Sequence, residues 1–220
     1  MQRIFIFAAV LIGLQAGLIA QQAPFWSEIL AFSRQDEQQW PGTGMIVFTG
    51  SSSIRMWKTL EQDFSDHRVL NRGFGGSTLP DVIRYAGEVI LKYQPGQVVI
   101  YCGENDLAAD SSISGKTVFK RFKSLTGIIR DSLPDTKILF IALKPSPSRI
   151  HLMEKIVDAN RRIRRYIKSR KYLAYADVFT PMLGPDGLPP ERLFIKDRLH
   201  LSREGYEIWK ETVKPFLIRD

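Results

Sequence analysis

The chain has a single cysteine, Cys102, in 220 residues. No intramolecular disulfide is possible, and there is no cysteine set for a zinc site. Cys102 ends an apolar run and reads as a small buried hydrophobe rather than a reactive thiol. Histidine is also scarce, with three residues, His67, His151 and His200. The glycine-rich stretch Gly73-Phe74-Gly75-Gly76-Ser77-Thr78 fails the Gly-x-Gly-x-x-Gly spacing because Thr78 holds the last place. No phosphate-loop lysine follows it, which disfavours a nucleotide binder. Internal repeats and low-complexity tracts are absent.

Apolar residues make up 44% of the chain, an ordinary share for one domain with a sizeable core. Residues 1–20 differ from the rest. Arg3 precedes the uncharged run Ile4–Leu14, and apolar character continues to Ala20 before Gln21-Gln22. This pattern predicts a secretory signal peptide cleaved after Ala20, with an uncleaved membrane anchor as the alternative. No cysteine follows the run to carry a lipid. Export without disulfides fits a bacterial envelope, either periplasmic or secreted. Residues 24–220 are expected to form the folded domain.

The formal charge of +8 is concentrated in Arg161–Lys171, which carries seven of the 31 basic residues. On a helix, Ile150, Met153, Ile156, Val157, Ile163 and Ile167 form an apolar stripe, with Arg161, Arg162 and Arg165 opposite. Residues 161–171 therefore read as a solvated face, or as a contact for an anionic surface such as phospholipid or acidic polysaccharide. The run has no interleaved aromatics of the kind nucleic-acid binding favours, and no nucleic-acid partner is expected.

Short apolar runs alternate with helical patterns along the domain. Strands are predicted at Met45–Thr49, Arg68–Asn71, Gln97–Cys102, Lys137–Ala142 and Tyr172–Ala176. Helices are predicted near 24–40, 79–93, 116–133, 149–170 and 203–217. Such alternation implies an α/β fold: a five-stranded parallel sheet covered on both faces, a three-layer α/β/α sandwich. A flavodoxin-like order 2-1-3-4-5 suits five such strands. The long irregular stretch 178–199 is punctuated by Pro181, Gly184, Pro185, Gly187, Pro189 and Pro190, and a loop of that length suggests function.

In a parallel sheet, the carboxyl ends of the strands share one edge, where open α/β folds hold ligands. The first strand ends at Gly50-Ser51-Ser52-Ser53, the second at Asn71–Thr78, and the third at Gly103-Glu104-Asn105-Asp106. The serines alone could be no more than a helix cap. Asp197-Arg198-Leu199-His200, delivered by the long loop, changes that reading. A serine hydroxyl needs a base, histidine suits the task, and an aspartate three residues away on a turn can fix its tautomer. The backbone N–H groups of Ser52 and Gly76, with the Asn105 amide, would stabilise an oxyanion. His67 and His151 read as surface or packing residues. Lys144-Pro145-Ser146-Pro147-Ser148-Arg149 reads as a rigid loop at the same edge, touching substrate.

This constellation resembles the SGNH hydrolases, also called GDSL esterases, whose four blocks hold Ser, Gly, Asn and a final Asp-x-x-His. The matching positions are Ser52, Gly76, Asn105, Asp197 and His200, and the resemblance spans about residues 44 to 217. Ser51 departs from the family's usual Gly-Asp-Ser. Ser52 still holds the second place after Gly50, as the family's nucleophile does. The resemblance implies a flavodoxin-like sandwich and a serine esterase with catalytic Ser52, Asp197 and His200. It also implies an oxyanion hole of Ser52, Gly76 and Asn105, with neither metal nor cofactor. The expected substrate is a short-chain acyl or acetyl ester of carbohydrate, or a lysophospholipid-type lipid. The Gly-x-Ser-x-Gly elbow of the α/β-hydrolases is missing. A non-catalytic glycan- or lipid-binding module on the same fold is the alternative.

Overall fold

The computed structural model describes residues 23–219, so the leader predicted at residues 1–20 lies outside the described residues. Its strands are β1 Ile46–Gly50, β2 Val69–Gly73, β3 Gln97–Tyr101, β4 Lys137–Ile141 and β5 Leu173–Ala176, all parallel, in the order β2-β1-β3-β4-β5. The expected three-layer sandwich and strand order are both present, and each strand lies within two residues of its predicted bounds. Every residue of β1 and β3 is buried, as their continuous apolar runs require of strands covered on both faces.

The helices are α1 Trp26–Gln38, α2 Ser52–Arg55, α3 Leu60–Asp63, α4 Leu79–Arg84, α5 Ala86–Val89, α6 Glu104–Ala109, α7 Gly115–Ser132, α8 Met153–Lys168 and α9 Arg203–Val213. Right-handed crossovers place α4, α5, α7 and α8 on one face of the sheet, and α2, α3 and α9 on the other. The second face is aromatic: Trp57 packs on Phe48, Phe64, Tyr206 and Trp209. On the first face, Phe122 meets Phe140 and Tyr166. One continuous core joins both faces, with a small satellite of Met45, Val47 and Tyr93.

Three expectations are corrected. The single helix at 79–93 is instead α4, α5 and a 3₁₀ turn at Leu91–Tyr93. The first break falls at Tyr85, whose ring packs edge-on against Phe74 and whose hydroxyl donates to the Pro24 carbonyl at 2.6 Å. Tertiary anchoring there outweighs local helix propensity. The helix at 149–170 begins as a 3₁₀ segment, Pro147–Leu152, and becomes α-helical only at Met153. The apolar stripe on α8 is narrower than expected. Ile156, Ile163 and Ile167 are buried, whereas Ile150 and Val157 are 41% and 45% exposed. Ala159 and Asn160 complete the buried face instead, and the Asn160 amide pairs with both backbone groups of Leu143.

Among the described residues, no helix is long and apolar enough to cross a membrane. The loop at 178–199 holds two 3₁₀ turns, Thr180–Met182 and Glu191–Leu193, and closes with an antiparallel bridge between Phe194 and Leu201.

Candidate active site

β1 delivers Ser52 through a forced turn. Gly50 has φ +120, and a Cβ there would lie 2.0 Å from the Tyr101 carbonyl oxygen, so no other residue fits. Ser51 caps the short helix α2 with extended backbone, and its N–H donates to that same Tyr101 carbonyl at 3.0 Å. Of the three serines, Ser51 and Ser53 are buried, and Ser52 is the one left partly open. His200 Nε2 lies 2.9 Å from Ser52 Oγ, and His200 Nδ1 lies 2.6 Å from Asp197 Oδ2.

The turn holding Asp197 and His200 is self-supporting. Asp197 Oδ1 accepts from the N–H groups of Leu199 and His200, both at 2.9 Å. Arg198 between them takes a left-handed φ of 60, and its guanidinium forks onto Glu191. Partial burial works against ionised Asp197, but the bonds from the His200 ring and the two backbone N–H groups outweigh it. The carboxyl is therefore held below its ordinary range and stays an anion facing the imidazole.

β2 and β3 supply the other wall. Gly76 stands with its absent Cβ 3.8 Å from Asn105 Nδ2. Asn105 Nδ2 donates to the Ser77 carbonyl at 3.1 Å, and Ser77 Oγ donates to the Gly50 carbonyl at 3.0 Å. The structure thus brings the Asn105 amide beside Gly76, and Ser52, His200 and Asp197 into one hydrogen-bonded chain. His67 and His151 stand apart: His67 Nδ1 meets the Ile218 carbonyl at 2.9 Å, and His151 is exposed. Cys102 is fully buried, and burial pushes its thiol well above the ordinary value, consistent with an inert role.

Several supporting contacts were not visible in the sequence. Asp106 is fully buried and clamps the Leu79 N–H at 2.9 Å and Arg121 at 2.7 Å, fixing the turn that carries Gly76. Its burial outweighs these bonds and raises its pKa. Glu28 on α1 accepts from the Gly75 N–H at 3.0 Å, and a Cβ on Gly75 would lie 2.4 Å from the Phe25 ring. The amino-terminal helix is thus part of the wall behind Gly76. These contacts join positions tens of residues apart, which local pattern does not reveal.

The loop after β4 is also corrected. Lys144, expected to touch substrate, is 1% exposed and pairs with the buried Glu104 at 2.6 Å. Burial works against the Glu104 anion, but Lys144 and Arg149 outweigh it and hold its pKa below the ordinary value. Arg149 does reach the site edge, donating to Asn105 Oδ1 at 2.8 Å and pairing with Glu104 at 3.2 Å. The Ser148 N–H donates to the Arg198 carbonyl at 3.1 Å, so this loop joins the Asn105 wall to the Asp197–His200 turn.

A groove of about 1080 Å³ lies elsewhere, between α8, β5 and α9, lined in part by Val157, Arg161, Arg164, Lys168, Phe179 and Phe216. Some of its charge is met locally. Arg161 and Arg162 both pair with Asp158, at 2.5 and 2.7 Å. Among the described residues, no group of three or more His, Cys, Asp or Glu side chains could hold a metal ion.

The strand order defines a doubly covered α/β fold, with the Ser52–His200–Asp197 chain at its carboxyl edge. The model of the GDSL-like lipase/acylhydrolase family matches residues 40–208, and the chain belongs to that family. Family membership makes the protein a hydrolase with ester hydrolysis as its general activity. No curated protein matches the chain. Among solved structures, a GDSL-like lipase from Bacteroides thetaiotaomicron is 22% identical with a TM-score of 0.74, covering 86% of this chain and 97% of that one. A Streptococcus pneumonia structure, provisionally named a platelet activating factor, is 18% identical with a TM-score of 0.76, covering 88% and 93%. An acetyl-xylooligosaccharide esterase from Geobacillus, a tryptophan variant, is 16% identical with a TM-score of 0.63, covering 81% and 96%. At these identities the three structures are similar in fold.

Proposed function

We propose that the chain is a serine-dependent carboxylic ester hydrolase working through an acyl-enzyme. The observation that carries this reading is the contact of 2.9 Å between Ser52 Oγ and His200 Nε2, with Asp197 at 2.6 Å behind the ring. His200 takes the Ser52 proton as Oγ bonds to the ester carbonyl carbon. The carbonyl electrons move onto oxygen, where the Ser52 and Gly76 N–H groups and the Asn105 amide receive the charge. The tetrahedral intermediate collapses, and His200 gives the proton to the leaving alcohol. Water, deprotonated by His200, then releases the acid and restores Ser52. Asp197 stabilises the imidazolium throughout.

The substrate in this proposal is a short-chain acyl or acetyl ester of a carbohydrate, or a lysophospholipid-type lipid. The Geobacillus neighbour supports the carbohydrate side, since it is named for acetylated xylooligosaccharides. Residues 1–20 are proposed as an export signal, so amino-terminal sequencing of the envelope fraction is expected to begin near Gln21. Contact between residues 161–171 and an anionic surface belongs to the same proposal. It is tested by salt-sensitive co-sedimentation with anionic vesicles.

A fluorophosphonate probe tests the chemistry. It is expected to label the protein, with the adduct mapped to Ser52 and lost in Ser52→Ala. An adduct on Ser51 or Ser53 overturns the assignment, and no adduct favours the binding module. Turnover of p-nitrophenyl acetate, butyrate and octanoate, with acetylated xylan and lysophosphatidylcholine in parallel, places the substrate.

A further inference from the structure

Asn105 can serve an oxyanion only if its Nδ2, and not its Oδ1, faces the reacting carbonyl. A primary amide is nearly symmetric in shape, so its orientation is set by hydrogen-bond partners alone. Two partners set it here. The Ser77 carbonyl, an acceptor, lies 3.1 Å from Nδ2, and the Arg149 guanidinium, a pure donor, lies 2.8 Å from Oδ1. Flipping the amide would set two acceptors against each other at Ser77 and two donors against each other at Arg149. One Nδ2 hydrogen is spent on Ser77, leaving the second free for another acceptor.

The second observation is the charge around Arg149. Glu104 is 3% exposed and already has Lys144 at 2.6 Å, together with the Tyr101 hydroxyl and Ser146 Oγ at 3.4 Å. Its negative charge is therefore balanced before Arg149 is counted. Arg149 also lies 3.2 Å from Glu104, and that contact fixes the guanidinium plane. The group as a whole carries one positive charge in excess, at the guanidinium bonded to the Asn105 carbonyl oxygen. A cation on that oxygen draws electron density from the amide nitrogen and makes the remaining N–H a stronger donor.

We propose that Arg149 is a positioning residue that orients and polarises the Asn105 amide, with the buried Glu104–Lys144 pair holding the guanidinium in place. This rests on the esterase reading above. Arg149 touches Asn105, and its effect on the reaction passes through that amide.

The test is a double-mutant cycle with Arg149→Met and Asn105→Ala, assayed on p-nitrophenyl acetate with thermal melting on the same samples. Methionine keeps the apolar stem, and Glu104 keeps Lys144. Arg149→Met is expected to melt within a few degrees of the native protein, to lose about 10- to 100-fold in kcat, and to leave KM within about threefold. This loss is smaller than the 10²–10³ range for removing an oxyanion donor outright. In the Asn105→Ala background the same substitution is expected to change kcat by less than about twofold, since nothing is left to orient. An equal loss in both backgrounds overturns the proposal, as does an unchanged kcat in folded Arg149→Met. Arg149→Gln takes the place of Arg149→Met, with the same two comparisons, if the methionine variant does not fold. Failure of the esterase reading shows separately: the native protein would then neither take the fluorophosphonate label at Ser52 nor hydrolyse the ester.

Discussion

At the scale of single residues, the proposed mechanism separates groups that could equally be scaffolding from groups that meet charge only as it develops. Asn105 is the sharpest case. If its second N–H serves the oxyanion, Asn105→Ala is expected to lose about 10²–10³ in kcat with KM nearly unchanged. Steady-state kinetics on a short-chain ester, with melting alongside, checks this. A low melting temperature with full kcat in the folded fraction would make Asn105 structural. Gly76→Ala gives an independent check. Its backbone does not need a left-handed φ, and the new methyl would meet only Asn105 Nδ2 at 3.8 Å. The variant is expected to fold normally and still lose turnover, because the methyl fills the space beside the donor. The residues of this site were legible in the sequence because each sits at the end of a strand or in a short block of its own. Glu28, the clamping contacts of Asp106 and the Arg149–Asn105 bond were not legible. Their meaning lies in a partner 27 to 47 residues away, beyond any local period.

At the scale of elements, strand positions followed directly from apolar runs, whereas helix continuity did not. A helical pattern from 79 to 93 could not announce that Tyr85 would reach the Pro24 carbonyl and break it. The buried Lys144 shows the same limit: its sequence neighbours are loop formers, and its partner Glu104 lies on another element. Removing Lys144 leaves the buried Glu104 with Arg149, 3.2 Å away, as its remaining cation, so Lys144→Met is expected to cost stability in urea unfolding, up to the roughly 3–5 kcal/mol of a broken buried pair. A neutral result would show that Arg149 alone can balance Glu104. A second element-scale prediction concerns Asp63 at the end of α3. Burial alone would raise its pKa, but Arg203, Thr59 and the Trp57 indole all donate to it and hold it at about 2. A depressed carboxylate contributes stability that is present above its unfolded pKa of about 4 and lost as pH falls through its folded value. The contribution, about 2 kcal/mol from that shift, is expected to vanish between about pH 4 and pH 2. Asp63→Asn should lower the melting temperature at pH 7 and flatten its dependence on pH in that window. An unchanged slope there would dissociate Asp63 from acid stability.

At the scale of the whole molecule, one core runs through both faces of the sheet, and its aromatic centre ties the chain's beginning to its end. Trp57, just after α2, packs on Trp209 of α9, and the Tyr206 hydroxyl donates to the Ser53 carbonyl at 2.9 Å. The serine and the histidine are thus braced by the same cluster. Tryptophan fluorescence and esterase activity are expected to be lost together in urea, with coincident midpoints. Activity vanishing well before the fluorescence change would show that the Asp197–His200 turn opens by itself. That bracing also has a meaning in time. Ser52 and His200 are separated by 148 positions in the chain. At common rates of translation, about 7 to 30 s pass between the synthesis of one and the other. In the proposed mechanism the serine has no base throughout that interval, and the growing chain has no means of attacking an ester before His200 is made.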